Sequence, residues 1–449
     1  MFNKITYQAR RRAHRHIAWG YIIKSRPGFL ETLADRARDF ELPTLLGRER
    51  IFFNELRNIV PFGTLGAGLK VFPRFDMIAG IFPRDAVFDM VDWPSVERIY
   101  SDEPVFISRF PVVSEEGVFR YMRKVRKPID FTTTYYVRKL MGADIAESMG
   151  YDGNGIIVGI VDTGSRRTHE QLRGKVQFDT VLIAQHEDVN GHGSWVATCI
   201  AGREEIDGML SRQIGRTIRC KGFAPEAFIY TVKALGYAIG TGSTSGIIEA
   251  VQNTLNYGVD LINLSLGGEC KYKTLDEDPM YDVFNEVIKE GAIPVVAAGN
   301  SGPEANTIES PAWLPNVISV AAIDPIKGTV ADFSSRGPTN DGRVAPTVAG
   351  YGVNIHSGIA GQLDYAGDNE PNRYSPISGT SMATPTVTGM LTLMKQAFRE
   401  VVGSEFGFNE VMDMMKSTAR HNKSNDFGWG LVTWQRFEEW LKIRYGVKV

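Results

Sequence analysis

Continuous apolar runs alternate with amphipathic stretches of helical length from residue 155 onward. The runs are "GIIVGIVD", "FIYTVKAL", "LINLSL", "AIPVVAAG" and "VISVAAI", and the stretches between them include "SGIIEAVQNTLNYG" and "DVFNEVIKEG". A continuous apolar run is typical of a strand that is covered on both faces. The alternation therefore predicts an α/β domain in which helices cover both faces of a parallel sheet.

The N-terminal part of the chain follows a different order. It contains "IAWGYIIK" as a strand, "PGFLETLADRARDF" as a helix, "GLKVF" and "DMIAGIF" as strands, "PRDAVFDMVDW" as a helix and "VERIY" as a strand. The order β-α-β-β-α-β can close into a small split-βαβ domain, which is ferredoxin-like. We predict such an α+β domain over residues 17–105, preceded by a solvated basic tail at residues 1–16.

Residues 106–130 are predicted to be a linker, because "RYMRKVRKP" concentrates basic residues between the two patterns. An exposed basic run is usually only solvated, but it is also a good target for proteolysis at a domain boundary. The large domain then occupies residues 131–449.

Composition narrows the class of protein. The 449-residue chain is 43% hydrophobic and 23% charged, which is ordinary for a globular protein, and its formal net charge of -2 gives no reason to expect a nucleic-acid partner. No apolar run approaches the roughly 20 residues that cross a bilayer. The N-terminus lacks the apolar core of a secretory signal, so we expect no membrane span and a protein that is cytoplasmic or exported by another route.

The three cysteines, Cys199, Cys220 and Cys270, form no C-x-x-C pattern and suggest neither a zinc site nor a disulfide framework. We predict small buried or partly buried thiols. A bridge between Cys199 and Cys220 is the alternative in an oxidising compartment.

Chemically active residues follow the predicted strands, where active sites of α/β folds lie. Asp162 ends "GIIVGIVD", His192 lies in the glycine-rich "NGHG", and Ser381 opens a predicted helix after "ISGT". Taken singly they have ordinary explanations as a turn residue, a loop histidine and a helix cap. Taken together they offer a nucleophile, a base and a group that orients the base. Asn300, after "VVAAG", adds an amide donor for a developing oxyanion.

The motifs "GIVDTG", "NGHGSWVATCIAG", "INLSLGG", "VVAAGNSGP", "SPAWLPNVISVAAID", "DFSSRGP", "ISGTSMATPTVTG" and "DFGWGLV" resemble those of subtilisin-like serine proteases (subtilases, peptidase family S8), in that family's order. The resemblance spans about residues 150–433 and implies a catalytic triad with an oxyanion donor. The implied residues are Asp162, His192, Ser381 and Asn300.

The same resemblance implies how a polypeptide substrate binds. It implies pairing of an extended substrate with Ser265, Leu266 and Gly267, and a pocket wall made of Ala297, Ala298 and Gly299. The N-terminal domain resembles the family's propeptide, which in many members is an intramolecular chaperone and inhibitor.

Three departures from the family pattern change the expectations. Gln171 stands where many members have an Asp calcium ligand, and the insertion "REEIDGMLSRQIGRTIRCKG" replaces the usual calcium loop. An amide and a basic loop make a poor site for a hard cation, so we expect no strong calcium site and no required cofactor. "HGSW" replaces H-G-T-H, so Ser194 and Trp195 change the packing behind the imidazole.

Glu309 in "TIESPAW" is the third departure and lies near the base of the family's first specificity pocket. A carboxylate there would favour Lys or Arg before the scissile bond. A Glu309 side chain that points into solvent would have no such effect, and the sequence does not distinguish the two. A basic preference would agree with self-processing in "RYMRKVRK".

Three competing hypotheses remain. "GTGSTSG" follows a strand as a nucleotide-binding loop would, but its spacing is not G-x-G-x-x-G. Ser381, Asp413 and His421 have the order of an α/β-hydrolase, although "NRYSPISG" is a poor buried strand. A subtilase scaffold used only for binding is the third. The sequence favours a serine endopeptidase made as a self-processing zymogen.

Overall fold

The computed structural model describes residues 4–15, 18–27, 70–83, 87–88, 90–91, 95–107, 131–182, 187–236, 240–360 and 373–448. Its α-helices, in chain order, are α1 Tyr7–Arg15, α2 Thr134–Leu140, α3 Ala143–Ser148, α4 His192–Ala201, α5 Gly208–Ile214, α6 Thr244–Tyr257, α7 Met280–Lys289, α8 Thr380–Val402, α9 Phe408–Ser417 and α10 Trp434–Tyr445. Short 3-10 helices are Pro73–Phe75 and Leu275–Glu277.

The strands pair into one large sheet and several small ones. They are β1 Ala18–Ser25, β2 Lys70–Phe72, β3 Met77–Pro83, β4 Val96–Ser101, β5 Pro104–Ile107, β6 Thr132–Thr133, β7 Ile157–Asp162, β8 Val176–Thr180, β9 Glu205–Ile206, β10 Arg219–Cys220, β11 Phe228–Lys233, β12 Thr241–Ser243, β13 Leu261–Leu264, β14 Leu266–Gly267, β15 Ile293–Ala297, β16 Ile318–Ile323, β17 Val348–Tyr351, β18 Ile355–Gly358 and β19 Tyr374–Ile377.

The prediction of a parallel α/β sheet is confirmed. Within the described residues, seven strands form a sheet in the order β17-β16-β15-β13-β7-β11-β8, and all their pairings are parallel. Each apolar run named above supplies one of its strands. Since β7 and β11 pair in register, Asp162 lies beside Lys233 at the carboxyl end of the sheet.

Two buried helices carry the predicted base and nucleophile. Every residue of α4 is buried, and α8 is buried from residue 380 to residue 398. Their apolar side chains join those of the sheet in one core cluster. Pro385, the sixth residue of α8, has no N–H to donate to the carbonyl of Ser381, which instead accepts from the hydroxyl of Ser265 at 2.9 Å. The catalytic candidates therefore sit on rigid elements.

The chain divides into two compact units, and the first contains residues 1–104, 243–252 and 271–286. Its four-stranded antiparallel sheet has the order β2-β3-β1-β4, which agrees with a split-βαβ arrangement. The predicted helix in residues 27–40 lies outside the described residues, so the ferredoxin-like fold stays a prediction.

The segment expected to be a solvated basic tail instead forms α1. Ala9 and Ala13, four residues apart, are fully buried, and with Ile5 they join the core of the first unit. A helix brings positions i and i+4 onto one face, so small apolar residues spaced among arginines can pack. The prediction of a solvated tail rested on the basic residues of the segment and not on the spacing of its alanines.

The second unit contains residues 105–242, 253–270 and 287–449, including all three cysteines as free thiols. Cys199 and Cys220 are fully buried, and burial raises the pKa of both thiols. The alternative of a Cys199–Cys220 bridge is therefore not what the structure has. Among the described residues, no helix combines the length and the apolar character needed to cross a membrane.

Candidate active site

Asp162 and His192 contact each other directly. Nδ1 of His192 lies 2.7 Å from Oδ1 of Asp162, and both side chains are buried. The backbone N–H of Thr163 donates to the same carboxylate oxygen at 2.7 Å. A buried carboxylate at this distance favours the imidazole tautomer that carries its proton on Nδ1, so that Nε2 can accept one. The other oxygen, Oδ2, is buried, and no residue that the structure describes donates a hydrogen bond to it.

Two glycines make this contact possible. Gly191 precedes α4 with φ of 97°, a conformation that residues with a side chain rarely adopt. At Gly193 a Cβ atom would overlap the carbonyl oxygen of Gly164, in the turn after β7. The backbone on either side of His192 can therefore pass close to the end of the strand that carries Asp162.

Ser381 is the second residue of α8 and is 1% exposed. Its hydroxyl donates to the carbonyl oxygen of Ser265 at 3.0 Å, and the hydroxyl of Ser265 donates to the carbonyl oxygen of Ser381 at 2.9 Å. These reciprocal bonds hold the start of α8 against the strand segment predicted to bind substrate. The helix N-terminus also places a favourable field at the nucleophile for developing negative charge.

Asn300 lies beside the same helix start. Its Oδ1 accepts from the backbone N–H and from the hydroxyl of Thr380, both at 2.9 Å. Two donors on the oxygen fix the amide orientation, so that Nδ2 faces elsewhere. A Cβ atom built on Gly379 would lie 3.4 Å from Nδ2 of Asn300 and 3.6 Å from N of Ser381. Both nitrogens therefore border one small space.

Glu309 is 9% exposed, and its carboxyl group lies between the segment predicted to pair with substrate and the predicted pocket wall. A Cβ atom would be 2.7 Å from Oε2 of Glu309 if built on Gly267, and 2.5 Å from its Cδ if built on Gly299. Oε1 accepts from the backbone N–H of Asn300 at 3.2 Å and from the hydroxyl of Ser301 at 3.0 Å. The side chain does not simply point into solvent.

The walls themselves are tied together around Glu309. The backbone N–H of Glu309 donates to the carbonyl of Ala298, which directly follows β15 and Ala297. Gly268 and Ser310 exchange two backbone hydrogen bonds of 2.9 Å. The structure thus brings the Ser265–Leu266–Gly267 and Ala297–Ala298–Gly299 segments to either side of one carboxylate.

A segment of the chain's own N-terminal part pairs with β14. Phe106 and Ile107 of β5 lie opposite Gly267 and Leu266 in antiparallel register. The N–H of Ile107 donates to the carbonyl of Gly240 at 2.8 Å, and β5 lies between β12 and β14. The predicted linker therefore begins with two residues in a strand. Residues 108–130, including "RYMRKVRK", lie outside the described residues.

The α/β-hydrolase alternative is not assembled. Asp413 binds Arg444 through both oxygens at 2.8 Å and accepts from the indole of Trp440. His421 is exposed, and its Nδ1 contacts the carbonyl of Asn422. The proposed nucleotide loop supplies β12 and the start of α6. These contacts support neither the α/β-hydrolase triad nor the nucleotide-binding loop.

One charged residue of this region was missed from the sequence. Asp188, four positions before His192, is 2% exposed and accepts hydrogen bonds from both sides of the histidine. Burial raises the pKa of this carboxyl group to about 6. The signal available was an acidic residue inside the glycine-rich "DVNGHGS" segment, where a turn-forming role was the simpler explanation.

Comparison with known proteins identifies the family of the chain. Residues 153–430 match the Subtilase family, and this match covers more than half of the chain. Subtilisin DY of Bacillus licheniformis is 31% identical over 305 residues, which cover 67% of this chain and 97% of that protein. The chain therefore belongs to the subtilase family, the class of subtilisin-like serine proteases.

Two further relatives show the extent of the likeness. Serine protease AprX of Bacillus subtilis (strain 168) is 33% identical over 305 residues, which cover 62% of this chain and 65% of AprX. Subtilisin Savinase of Lederbergia lenta is 34% identical over 293 residues, with 65% and 93% covered. The chain thus spans slightly less than two thirds of AprX, and it spans 66% of alkaline elastase YaB of Bacillus sp. (strain YaB).

We expect Asn300→Ala to lower kcat about 10²–10³-fold with little change in KM, because an oxyanion donor acts only on the transition state; this range comes from subtilisin itself. Thr380→Val, which removes one of the two bonds that orient the amide, should give a smaller loss in the same direction. Steady-state kinetics on a chromogenic peptide measure both. Asn422→Ala, at an exposed position, is the control. An unchanged kcat for Asn300→Ala would contradict the assignment.

Proposed function

We propose that this protein is a serine endopeptidase that uses Asp162, His192 and Ser381. The observation that carries the proposal is the buried contact of 2.7 Å between Asp162 and His192, combined with Ser381 at the start of a buried helix. Family membership supports the same reaction. The substrates are polypeptides, and the family's named relatives are proteases.

In the proposed reaction, Nε2 of His192 takes the hydroxyl proton of Ser381 while Oγ attacks the scissile carbonyl carbon. That proton is engaged with the carbonyl of Ser265, so the hydroxyl has to turn to the imidazole first. The oxyanion receives bonds from Nδ2 of Asn300 and the backbone N–H of Ser381. His192 then protonates the leaving amine, and water releases the acyl group from Ser381 by the reverse steps.

We also infer that residues 17–105 are a propeptide-like, ferredoxin-like domain that inhibits the enzyme until self-processing. Pairing of β5 with Leu266 and Gly267 supports this, because the chain's own strand occupies the position expected for substrate. Contacts between the N-terminal residues and the start of α6, all inside the first unit, also support it. Lys70 pairs with Glu249 of α6 at 2.7 Å, and Asp102 accepts from the N–H and the hydroxyl of Ser245 at 2.9 and 2.7 Å.

The test is to express the full chain and its Ser381→Ala variant and to follow chain length and casein hydrolysis. We expect the wild type to lose its first 105–130 residues and to hydrolyse casein, whereas Ser381→Ala stays full length and inactive. Ser404→Ala, at an exposed position, should behave as the wild type. If the wild type neither shortens nor cleaves casein, the endopeptidase proposal fails. If it cleaves casein at full length, only the zymogen proposal fails.

The position of Glu309 between Gly267 and Gly299 leads us to propose a preference for Lys or Arg before the scissile bond. A carboxylate at the base of a pocket binds a guanidinium or ammonium by charge-assisted hydrogen bonds. The N–H of Asn300 and the hydroxyl of Ser301 both donate to Oε1 of Glu309, which holds the carboxyl group in this position.

We therefore expect Glu309→Gln to lower kcat/KM for substrates with Arg at that position by about 10–100-fold, since an ion-paired hydrogen bond contributes about 1.5–3 kcal/mol. Matched substrates with Leu or Phe should change little. Cleavage of a peptide library by wild type, Glu309→Gln and the exposed control Glu304→Gln measures the preference. The same residue preference in all three proteins would contradict a role for Glu309.

We propose that the activity does not require calcium. Gln171 binds the insertion through two hydrogen bonds. Its side-chain Nε2 donates to the carbonyl of Arg203 at 2.8 Å, and its backbone carbonyl accepts from the N–H of Arg203 at 3.0 Å. Asp207 of the same insertion contacts Nε2 of His356 at 2.9 Å. Burial opposes the charged form, but the bonds from His356 and the N–H of Leu210 lower the pKa of Asp207. The insertion that replaces the usual calcium loop is thus held by hydrogen bonds to Gln171 and His356.

EDTA should therefore leave the thermal midpoint unchanged, in the Ser381→Ala protein to avoid self-digestion. A calcium site filled at one hundred times its Kd would instead contribute about 2.7 kcal/mol. Differential scanning calorimetry before and after EDTA, with calcium added back, measures this. A midpoint that falls with EDTA and recovers with calcium, but not with magnesium, would contradict the proposal.

A further inference from the structure

The Asp188 carboxylate binds the backbone on both sides of His192. Oδ1 accepts from the N–H of Asn190 at 3.0 Å and from the N–H of Gly191 at 2.8 Å, immediately before the histidine. Oδ2 accepts from the N–H of Ser194 at 2.8 Å and from its hydroxyl at 2.7 Å, two residues after it. One carboxylate therefore binds the chain on both sides of the residue that carries the imidazole.

The same carboxylate reaches the segment that carries Asp162. The hydroxyl of Thr163 donates to Oδ1 of Asp188 at 3.0 Å and accepts from the N–H of Gly193 at 3.0 Å. The N–H of Thr163 in turn donates to Oδ1 of Asp162. Ser194 makes a second link, because its hydroxyl accepts from the N–H of Arg166 at 3.0 Å. Two short bridges thus join the Asp162 turn to the His192 turn through Asp188.

Stability alone does not account for a carboxylate at this place. Burial and the neighbouring charge of Asp162 raise the pKa of Asp188, although the bonds from Ser194 and Gly191 act in the opposite direction. A positive group is also near, because the charge of Asp188 acts to raise the pKa of Lys233, which is 2% exposed at the end of β11. A desolvated charge beside a like charge is costly, and such arrangements are concentrated at functional sites.

We propose that Asp188 is a positioning residue for the proposed proteolysis: it holds the Asp162 and His192 segments in register so that the imidazole keeps the orientation needed to receive the proton of Ser381. It touches neither substrate nor reacting atoms and acts through Thr163, Gly191 and Ser194. The inference rests on the proposed endopeptidase activity.

The hydrogen-bond pattern specifies what a substitution removes. In Asp188→Asn, an amide oxygen can still accept from Asn190, Gly191 and Thr163. The NH2 group, however, faces the N–H of Ser194 and cannot accept from it. The backbone after His192 therefore loses its acceptor, while the volume of the side chain is unchanged. A misplacement of a catalytic group by about 1 Å can cost about 10²-fold in rate.

The experiment compares wild type, Asp188→Asn and Glu187→Gln, each as processed enzyme. Glu187 is the adjacent carboxylate and pairs with Arg167 at 2.7 Å, so Glu187→Gln removes a charge from the same turn and leaves the hydrogen-bonding groups of Asp188 in place. The concentration of active sites is titrated to its end point with a fluorophosphonate, and kcat and KM are then expressed per titrated site. We expect kcat of Asp188→Asn to fall about 10–100-fold, KM to stay within about threefold, and Glu187→Gln to match the wild type.

A second pair of variants keeps the inference testable if Asp188→Asn does not fold or does not mature. Ser194→Ala removes the hydroxyl that links Asp188 to Arg166, whereas Ser194→Thr retains a hydroxyl and is the family's usual residue there. We expect Ser194→Ala to lower kcat per active site and Ser194→Thr to restore it. A role in folding alone would lower the yield of titratable enzyme and leave kcat per site unchanged.

The outcomes separate the two proposals. A wild type that does not hydrolyse peptides would contradict the endopeptidase function itself, and with it the positioning role. An active wild type with kcat per site unchanged in Asp188→Asn, or, where that protein cannot be obtained, unchanged in Ser194→Ala, overturns the positioning role while the endopeptidase function stands. A fall in kcat that Glu187→Gln shares equally also overturns it, because general charge loss in the turn would then explain the effect.

Discussion

The close approach of the turn after β7 to the start of α4 is the constraint on which the rest of the site depends. A carboxylate and an imidazole 2.7 Å apart require their backbones to pass nearer than most side chains permit. Gly193 meets this requirement because a Cβ atom there would overlap the carbonyl of Gly164. The glycines of "NGHG" thus allow the two backbones to approach closely. The buried Asp188 accepts hydrogen bonds from the backbone on both sides of His192.

The second half of the site depends on the start of α8. Thr380 holds the oxygen of Asn300 through two donors, and Ser381 exchanges bonds with Ser265. Because α8 is buried for most of its length, the nucleophile cannot shift without disturbing the core. Trp195, where the family usually has histidine, is fully buried and donates its indole N–H to the carbonyl of Ser375 at 3.1 Å. The departure from H-G-T-H therefore ties α4 to β19.

Buried acidic groups occur in both halves of the site. Asp162, Asp188 and Glu309 place acidic groups around the proposed base and pocket, whereas hydrogen bonds from backbone N–H groups carry much of their compensation. Buried carboxylates of this kind are costly unless donors surround them.

The parallel α/β sheet could be predicted from the amino-acid sequence, since continuous apolar runs are a local property of the chain. The sequence also selected Asp162, His192, Asn300 and Ser381, because each follows a strand or opens a helix in a recognisable motif. It did not determine α1, where the spacing of Ala9 and Ala13 mattered more than the charge of the segment. Nor could it decide the direction of Glu309 or the partners of Asp188. Those depend on residues far apart in sequence, such as Gly267 beside Glu309 and Thr163 beside Asp188, and only the folded backbone brings them within hydrogen-bond distance.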